Sequence, residues 1–185
     1  MRILIADDES IIRLGLKAML TEQGHEVLTA ANGREALQMA RRHQPDLAIL
    51  DIKMPYTDGL QAAQTISRTC PMPILLLTAF SEQDLIDRAT DLPVHGYLIK
   101  PIKPEELAAA IAVASKRFRE SRQQAAHNAR LERDLATRKI IERAKGKLMQ
   151  QGMSEAAAYQ TLQRRARANR QTLAETAKAI LNASS

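Results

Sequence analysis

Tryptophan is absent from the 185 residues, and aromatics are scarce, with three Tyr and two Phe. The single cysteine, Cys70, excludes an intrachain disulfide framework and suits a reducing compartment. Wedged between Thr69 and Pro71, it reads as inert. The four histidines (His25, His43, His95, His127) are scattered and show no metal-ligand spacing. Long apolar runs are missing too: strand-like runs such as 74–77 have four or five residues and the longest, 107–114, has eight, far from the roughly 18 needed to span a bilayer. Met1 leads straight into a short β-like run with no long apolar h-region, so no export signal is read, and the expected location is cytoplasmic with no membrane partner. Glycine and proline thin out along the chain: after Pro104 there is no proline, and only Gly146 and Gly152 remain.

What is present divides by charge. Residues 1–115 hold 11 Lys/Arg against 15 Asp/Glu, a net of −4, whereas 116–185 hold 16 against 6, a net of +10. Such a split points the second part toward a polyanion, although a solvated helical surface would look the same by charge alone. The length suffices for one full core and a small second unit.

Up to about residue 102, short β-type runs (2–6, 26–30, 46–50, 74–78, 96–99) alternate with amphipathic helical stretches (11–22, 34–42, 60–69, 82–91). Strands 1, 3 and 4 are nearly unbroken apolar runs, as parallel strands covered on both faces should be. Five βα units in series define a doubly wound α/β domain with a five-stranded parallel sheet. A fifth helix begins near Pro104, with Glu105 and Glu106 in its first turn, and nothing breaks it until well past Arg130. Leu107, Ile111, Ala114 and Phe118 follow a 4-3-4 spacing that weakens at Ser121 and Asn128 and slips one place at Leu131, so a coiled-coil seam and self-association are expected from this stretch. Three further helices are read over about 131–151 (closed by Gly152), 154–167 (Ser154 as N-cap) and 171–181. The expected division is 1–115, a helical linker 116–137, and a small all-α unit 138–185.

In an open parallel sheet, ligands bind beyond the carboxyl ends of the strands. Those ends here carry Asp7 and Asp8, Asp51, Thr78 and Lys100. A lone Asp at such a place is usually a helix cap or turn residue, but five polar residues at matching ends gather three carboxylates, a hydroxyl and an ammonium. Crowded carboxylates call for a cation, and so few oxygen ligands suit octahedral Mg²⁺ that keeps waters for a phosphoryl group. A carboxylate can then act as nucleophile and form an acyl phosphate.

The segments DDES (7–10), LDIKMPYTDGL (50–60), LTAF (77–80) and YLIKP (97–101) resemble the receiver domain of two-component response regulators, in order and spacing, over about residues 1–115. The resemblance implies a flavodoxin-like fold and phosphorylation of Asp51 by a sensor histidine kinase. It implies Mg²⁺ held by Asp7, Asp8, Asp51 and the Lys53 backbone carbonyl. It further implies that Thr78 and Lys100 close on the phosphoryl oxygens, that Tyr97 turns inward on activation, and that Lys100–Pro101 is cis. By composition alone Tyr97 also fits an ordinary half-buried strand aromatic. One departure is 92–94 (Leu-Pro-Val), on the signalling side, where many receivers carry a glycine-containing turn. The chain is expected to be no enzyme in the usual sense: it accepts a phosphoryl group on Asp51 and loses it by autodephosphorylation. No small-molecule substrate is apparent.

In the tail, cations cluster at Arg138, Lys139, Arg143, Lys145 and Lys147, and again at Arg164, Arg165, Arg167 and Arg170, with Tyr159 the one aromatic beyond Phe118. Sheet modules that stack several bases need more aromatics than this. A compact helical reader of phosphates and a few loop bases fits better. Gly146–Lys147 lacks the upstream glycine and following Ser/Thr of a phosphate-binding loop. Residues 138–181 are similar to the ANTAR domain, a three-helix RNA-binding module of transcription antitermination regulators. The I-x-x-A-K-G-x-L-M core (Ile141 to Met149) and S-E-x-x-A-Y (Ser154 to Tyr159) carry that similarity. It implies binding to hairpin loops in nascent transcripts and prevention of termination; the long helix from Pro104 adds the expectation of a homodimer when active. Ala144, Ala158, Ala166 and Ala177 read more simply as close helix-packing positions. The alternative is a DNA-binding regulator, since 173–180 could open a helix-turn-helix; the sequence then stops without a recognition helix. A relay whose tail only dimerises fits the +10 charge poorly.

Overall fold

A computed structural model describes residues 1–79 and 93–183. The helix expected over 82–91, together with Phe80 and Leu92, lies outside these. The described chain forms two compact units, 1–122 and 123–185.

The first unit is built on five parallel strands: β1 (Arg2–Ala6), β2 (Glu26–Ala30), β3 (Leu47–Asp51), β4 (Ile74–Ala79) and β5 (Gly96–Lys100), in the order β2-β1-β3-β4-β5. Helices α1 (Ser10–Glu22), α2 (Gly33–His43) and α3 (Gly59–Thr69) follow β1, β2 and β3. The period of two along each strand sorts the core into two layers. Leu4, Ala6, Ala48, Leu50, Ile74 and Leu76 pack with Ala36, Ala40, Ala62, Ala63 and Ile66 of α2 and α3. Ile3, Ile5, Leu47, Ile49, Leu75 and Leu77 pack on the other face with Leu16 and Leu20 of α1 and with Leu107, Ile111 and Ala114. Burial on both faces is why the central strands read as continuous apolar runs.

Helix α4 runs unbroken from Pro104 to Gln150. The boundary expected near residue 131 is therefore absent, because no proline or helix-ending glycine stands there to stop propagation. Its first turns belong to the core of the first unit, so the 4-3-4 spacing of Leu107, Ile111 and Ala114 reflects packing on the sheet, not a seam between chains. Phe118 meets His95 edge-on at 5.2 Å, and Arg117 Nη1 donates to the His95 carbonyl at 3.3 Å. His95 Nδ1 accepts from the Ile74 N–H at 3.2 Å, and burial followed by the Arg117 charge holds the imidazole below its usual range. The neutral ring thus ties α4 to the base of the sheet. Residues 119–128 and 130–139 are exposed, Leu131 at 48% and Leu135 at 57%.

The second unit packs the end of α4 against α5 (Glu155–Ala168) and α6 (Leu173–Asn182). Its core is small: Ala144, Leu148, Ala158, Leu162, Ala177 and Ile180. The alanines expected at close-packing positions are there, with Ala144, Ala158 and Ala177 at 0% exposure and Ala166 at 6%. Gly152 ends the α4 turn at φ 95°, with its N–H bonded to the Met149 carbonyl, the left-handed cap its sequence position suggested. Ser154 caps α5, and Thr172 with Glu175 forms a capping box on α6.

Candidate phosphoacceptor pocket and basic helical surface

The carboxyl ends of β1, β3, β4 and β5 bring Asp7, Asp51, Thr78 and Lys100 to one edge of the sheet. Asp7 and Thr78 are fully buried and Asp51 is 5% exposed, while Asp8 reaches solvent. Lys100 Nζ sits 2.7 Å from Asp51 Oδ1 and 2.8 Å from Asp7 Oδ2, with Glu9 Oε1 farther out at 3.7 Å. The Lys100–Pro101 bond is cis. Burial pushes the Asp51 carboxyl up to about 6; Lys100 opposes that rise, and the charges of Asp7 and Asp8 add to it. Burial works against the Lys100 ammonium, but its bonds to Asp51 and Asp7 outweigh that and hold its pKa well above the usual value.

Carboxylate oxygens of Asp7, Asp8 and Asp51 all lie within 4.8 Å of one another. Three carboxylates and one ammonium leave two negative charges in the pocket, the amount a divalent cation balances. An octahedral cation with oxygens at about 2.1 Å fits donors so spaced. Thr78 Oγ1 donates to the Ala79 carbonyl at 3.2 Å, and Thr78 stands one position past the Leu77 that pairs with Asp51. Tyr97, on edge strand β5, is 52% exposed and points outward. Lys53 is exposed in the loop just after β3.

Three supporting residues escaped the sequence reading. Arg13 Nη1 donates to the Asp7 and Asp8 carbonyls at 2.7 and 3.0 Å, holding the acidic loop from the first turns of α1. Asp7 Oδ1 accepts from the Glu9 N–H at 2.8 Å, which fixes the other side of that loop. Gly59 opens α3 so close to β3 that a Cβ there would strike the Asp51 carbonyl oxygen. Only the spacing of Arg13 from the acid pair, one turn into α1, could have signalled the first. Gly59→Ala is expected to destabilise the first unit by about 1–3 kcal/mol, the usual cost of overpacking, read as a lower urea midpoint with an unchanged slope.

The basic residues of the second unit separate into two groups. Arg138, Lys139, Arg143, Arg164, Arg165, Arg167 and Arg170 are exposed. Arg164 and Arg167 share a concavity on α5 with Gln160 and Gln163. Arg170 holds a left-handed conformation, φ 52°, in the α5–α6 turn. Lys145 and Lys147 depart from the expected solvent-facing role. Lys145 is 9% exposed, its ammonium 2.7 Å from Glu155 Oε1 and 3.1 Å from Glu142 Oε2. Lys147 Nζ donates to the Ile180 and Leu181 carbonyls at 2.8 and 3.1 Å, closing the end of α6. Helical amphipathicity explains Lys145, since positions 144, 145 and 148 are buried, and half-buried Lys147, beside Leu148, reaches the end of α6.

A parallel five-stranded sheet with an acid pocket at its carboxyl edge, joined to a basic helical unit, defines the class of a phosphoryl-receiving regulator with a polyanion-binding output. The description "Response regulator receiver domain" matches residues 3–112, and "ANTAR domain" matches 129–181. The chain is 44% identical over 182 residues to the transcriptional regulatory protein PdtaR of Mycobacterium tuberculosis, covering 97% of this chain and 89% of that protein. It is 42% identical over 118 residues to the probable transcriptional regulator ycf27 of Pyropia yezoensis, where 63% of this chain matches 48% of the relative. A response regulator receiver domain protein from Clostridium thermocellum superposes with a TM-score of 0.60 at 33% identity, over 64% of this chain and 96% of that one. The chain belongs to the response regulators that carry a receiver domain followed by an ANTAR domain. No helix among the described residues is long and apolar enough to cross a membrane.

Proposed function

We propose that this response regulator accepts a phosphoryl group on Asp51 from a sensor histidine kinase and, in response, binds RNA hairpins in nascent transcripts and prevents their termination. The observation that carries the first half is the placement of Asp51: nearly buried at the end of the central strand, with an ammonium 2.7 Å from one oxygen and Asp7 across the pocket. Asp7, Asp8 and Asp51, with the Lys53 carbonyl, would hold Mg²⁺, which supplies positive charge against the oxygens of the transferring group. Asp51 is the nucleophile, Lys100, now paired with Asp51 and Asp7, turns to the phosphoryl oxygens as charge builds, and Thr78 is the hydroxyl placed to reach the same group. Tyr97, outward on β5, is the aromatic whose inward turn would report the change. Hydrolysis of the acyl phosphate resets the site.

The output half rests on the net +10 of residues 116–185, of which Arg164 and Arg167 are exposed and line one concavity on α5. Division into a receiver (1–115), a helical linker (116–137) and an RNA-binding unit (138–185) assigns each residue group its role. The exposed linker, a helical stretch that past Phe118 packs no apolar face on the described residues of its own chain, is the segment for pairing two chains.

Salt-dependent retention on hairpin RNA, with duplex DNA as competitor, tests this reading. RNA binding should survive duplex DNA and weaken as salt rises. Arg164→Ala with Arg167→Ala should lower affinity and flatten the salt slope by about 0.7 per lost phosphate contact, without loss of helix content. Preferential competition by duplex DNA would favour a DNA-binding regulator instead.

A further inference from the structure

Only three carboxylates stand among the cations of residues 138–185: Glu142, Glu155 and Glu175. Glu175 is spent on the capping box of α6. The other two converge on one buried ammonium. Lys145 Nζ lies 2.7 Å from Glu155 Oε1 and 3.2 and 3.1 Å from the two oxygens of Glu142. That uses all three of its N–H donors. Lys145 is therefore not a phosphate ligand; its side chain is 11% exposed, while those of Glu142 and Glu155 are 60% and 69% exposed. It acts as an anchor that holds exposed carboxylates in place.

One turn along α5 from Glu155 stands Tyr159, the sole aromatic of this unit, 40% exposed. Lys145, Glu155, Ala156 and Tyr159 line one shallow notch. A carboxylate beside a bound polyanion is repulsive unless it accepts hydrogen bonds from the ligand. Phosphates offer none at neutral pH, whereas base edges do. Unpaired bases are read by stacking on an aromatic ring and by hydrogen bonds along the Watson–Crick edge. A carboxylate has acceptors only: a lone amine such as cytosine N4 satisfies one oxygen, whereas two adjacent donors satisfy both. Adenine and cytosine set a ring-nitrogen lone pair beside the amine, and uracil flanks its one N–H with two carbonyls. Guanine alone offers N1–H and the N2 amine side by side.

We propose that this notch takes an unpaired guanine, with Tyr159 stacking on the base, Glu155 accepting from N1–H and N2–H, and Lys145 as the positioning residue for Glu155. The inference rests on the RNA-binding reading above and adds the base and the side chains that choose it. Arg164 and Arg167 then serve the phosphate backbone, and the notch serves sequence.

The test uses the full-length chain, phosphorylated with acetyl phosphate and Mg²⁺, and a pool of RNA hairpins with randomised loops, selected at about 0.15 M salt. The wild-type pool should become enriched in guanine at one loop position. In a hairpin from that pool, inosine at that position lacks only the N2 amine and should bind the wild type about tenfold more weakly, within the range a bidentate base contact supplies. Glu155→Gln should bind the guanine and inosine hairpins alike while keeping the wild-type salt slope. Lys145→Met should erode the same preference; should it unfold the unit, Glu155→Gln alone decides. A wild-type pool without a guanine position, or a Glu155→Gln variant with undiminished guanine preference, overturns the inference. If salt-dependent retention persists in those cases, the inference falls alone. If the wild type retains no RNA at all, the RNA-binding reading falls with it.

Discussion

Asp51→Asn is expected to give a protein that cannot be phosphorylated and that, without divalent cations, is more stable than the wild type at pH 8. The first effect follows from removing the nucleophile while keeping the shape. With acetyl phosphate or a cognate kinase and Mg²⁺, stoichiometric labelling should fall to none; an Asp51→Asn variant that still labels fully would refute the assignment. The second effect follows from the carboxyl's raised value of about 6 against the usual 3.8, caused first by burial and then, against the pull of Lys100, by Asp7 and Asp8. A group that binds its proton more tightly when folded costs native stability once that proton is lost. Well below pH 3.8 Asp51 is protonated in both states and contributes no difference. The cost grows as pH rises toward 6 and is constant above it. A rise of this size corresponds to about 3 kcal/mol, and residual solvent screening with partial loss of the Lys100 pairing reduces the expected gain to about 1–2 kcal/mol. Urea melts of the two proteins at pH 4 and pH 8 read the difference. Mg²⁺ should reverse the order, because a ligand at a hundred times its dissociation constant adds about 2.7 kcal/mol to the state that binds it. Equal stabilities at pH 8 in chelator would show that the Asp51 charge is not strained in the folded state.

The receiver was legible because its constraints are local and repeated. Strands buried on both faces must be apolar throughout, and each strand end that lines the crevice must be polar, so RILIA-DD and LAIL-D announce both the sheet and the pocket. Side-chain commitments across the fold were not legible. Lys145 and Lys147 look like any other cations in a basic run, and only the packing of α4 against α5 and α6 shows that carboxylates and helix-end carbonyls already occupy them. Gly59 likewise reads as a turn glycine after Asp58, whereas its real constraint is a backbone passing too near Asp51 for any Cβ. The periodicity of α4 misled for a related reason: Leu107, Ile111 and Ala114 show helical spacing whether their partner is a sheet or a second chain. The same ambiguity narrows the candidate pairing surface to the residues that no core claims.

That narrowed surface carries the prediction for how the two halves communicate. Asp51 phosphate adds roughly −1.5 to −2 charges and must act through an element with two arrangements. Leu131 and Leu135, 48% and 57% exposed on an otherwise polar stretch of α4, are the apolar groups left for pairing. Ala125 and Ala129 allow close approach, and Asn128 weakens the seam. Such pairing is marginal, so a bias of about 1.4 kcal/mol from the receiver changes it tenfold. Dimerisation would place two basic units on one transcript and raise their effective concentration at a second hairpin. Leu131→Glu with Leu135→Glu keeps strong helix formers at exposed sites and should leave the monomer's helix content and melting unchanged. Burying each leucine in a dimer contributes up to about 1.5–3 kcal/mol, so the double substitution should weaken self-association at least about a hundredfold. Sedimentation of phosphorylated wild type, Asp51→Asn and the double variant, with and without hairpin RNA, reads all three steps. Phosphorylated wild type should sediment as a dimer with the highest RNA affinity, and the double variant should remain a monomer that still accepts phosphate on Asp51. Identical association and RNA affinity in all three proteins would remove dimerisation from the mechanism and leave the signal to travel within a single chain.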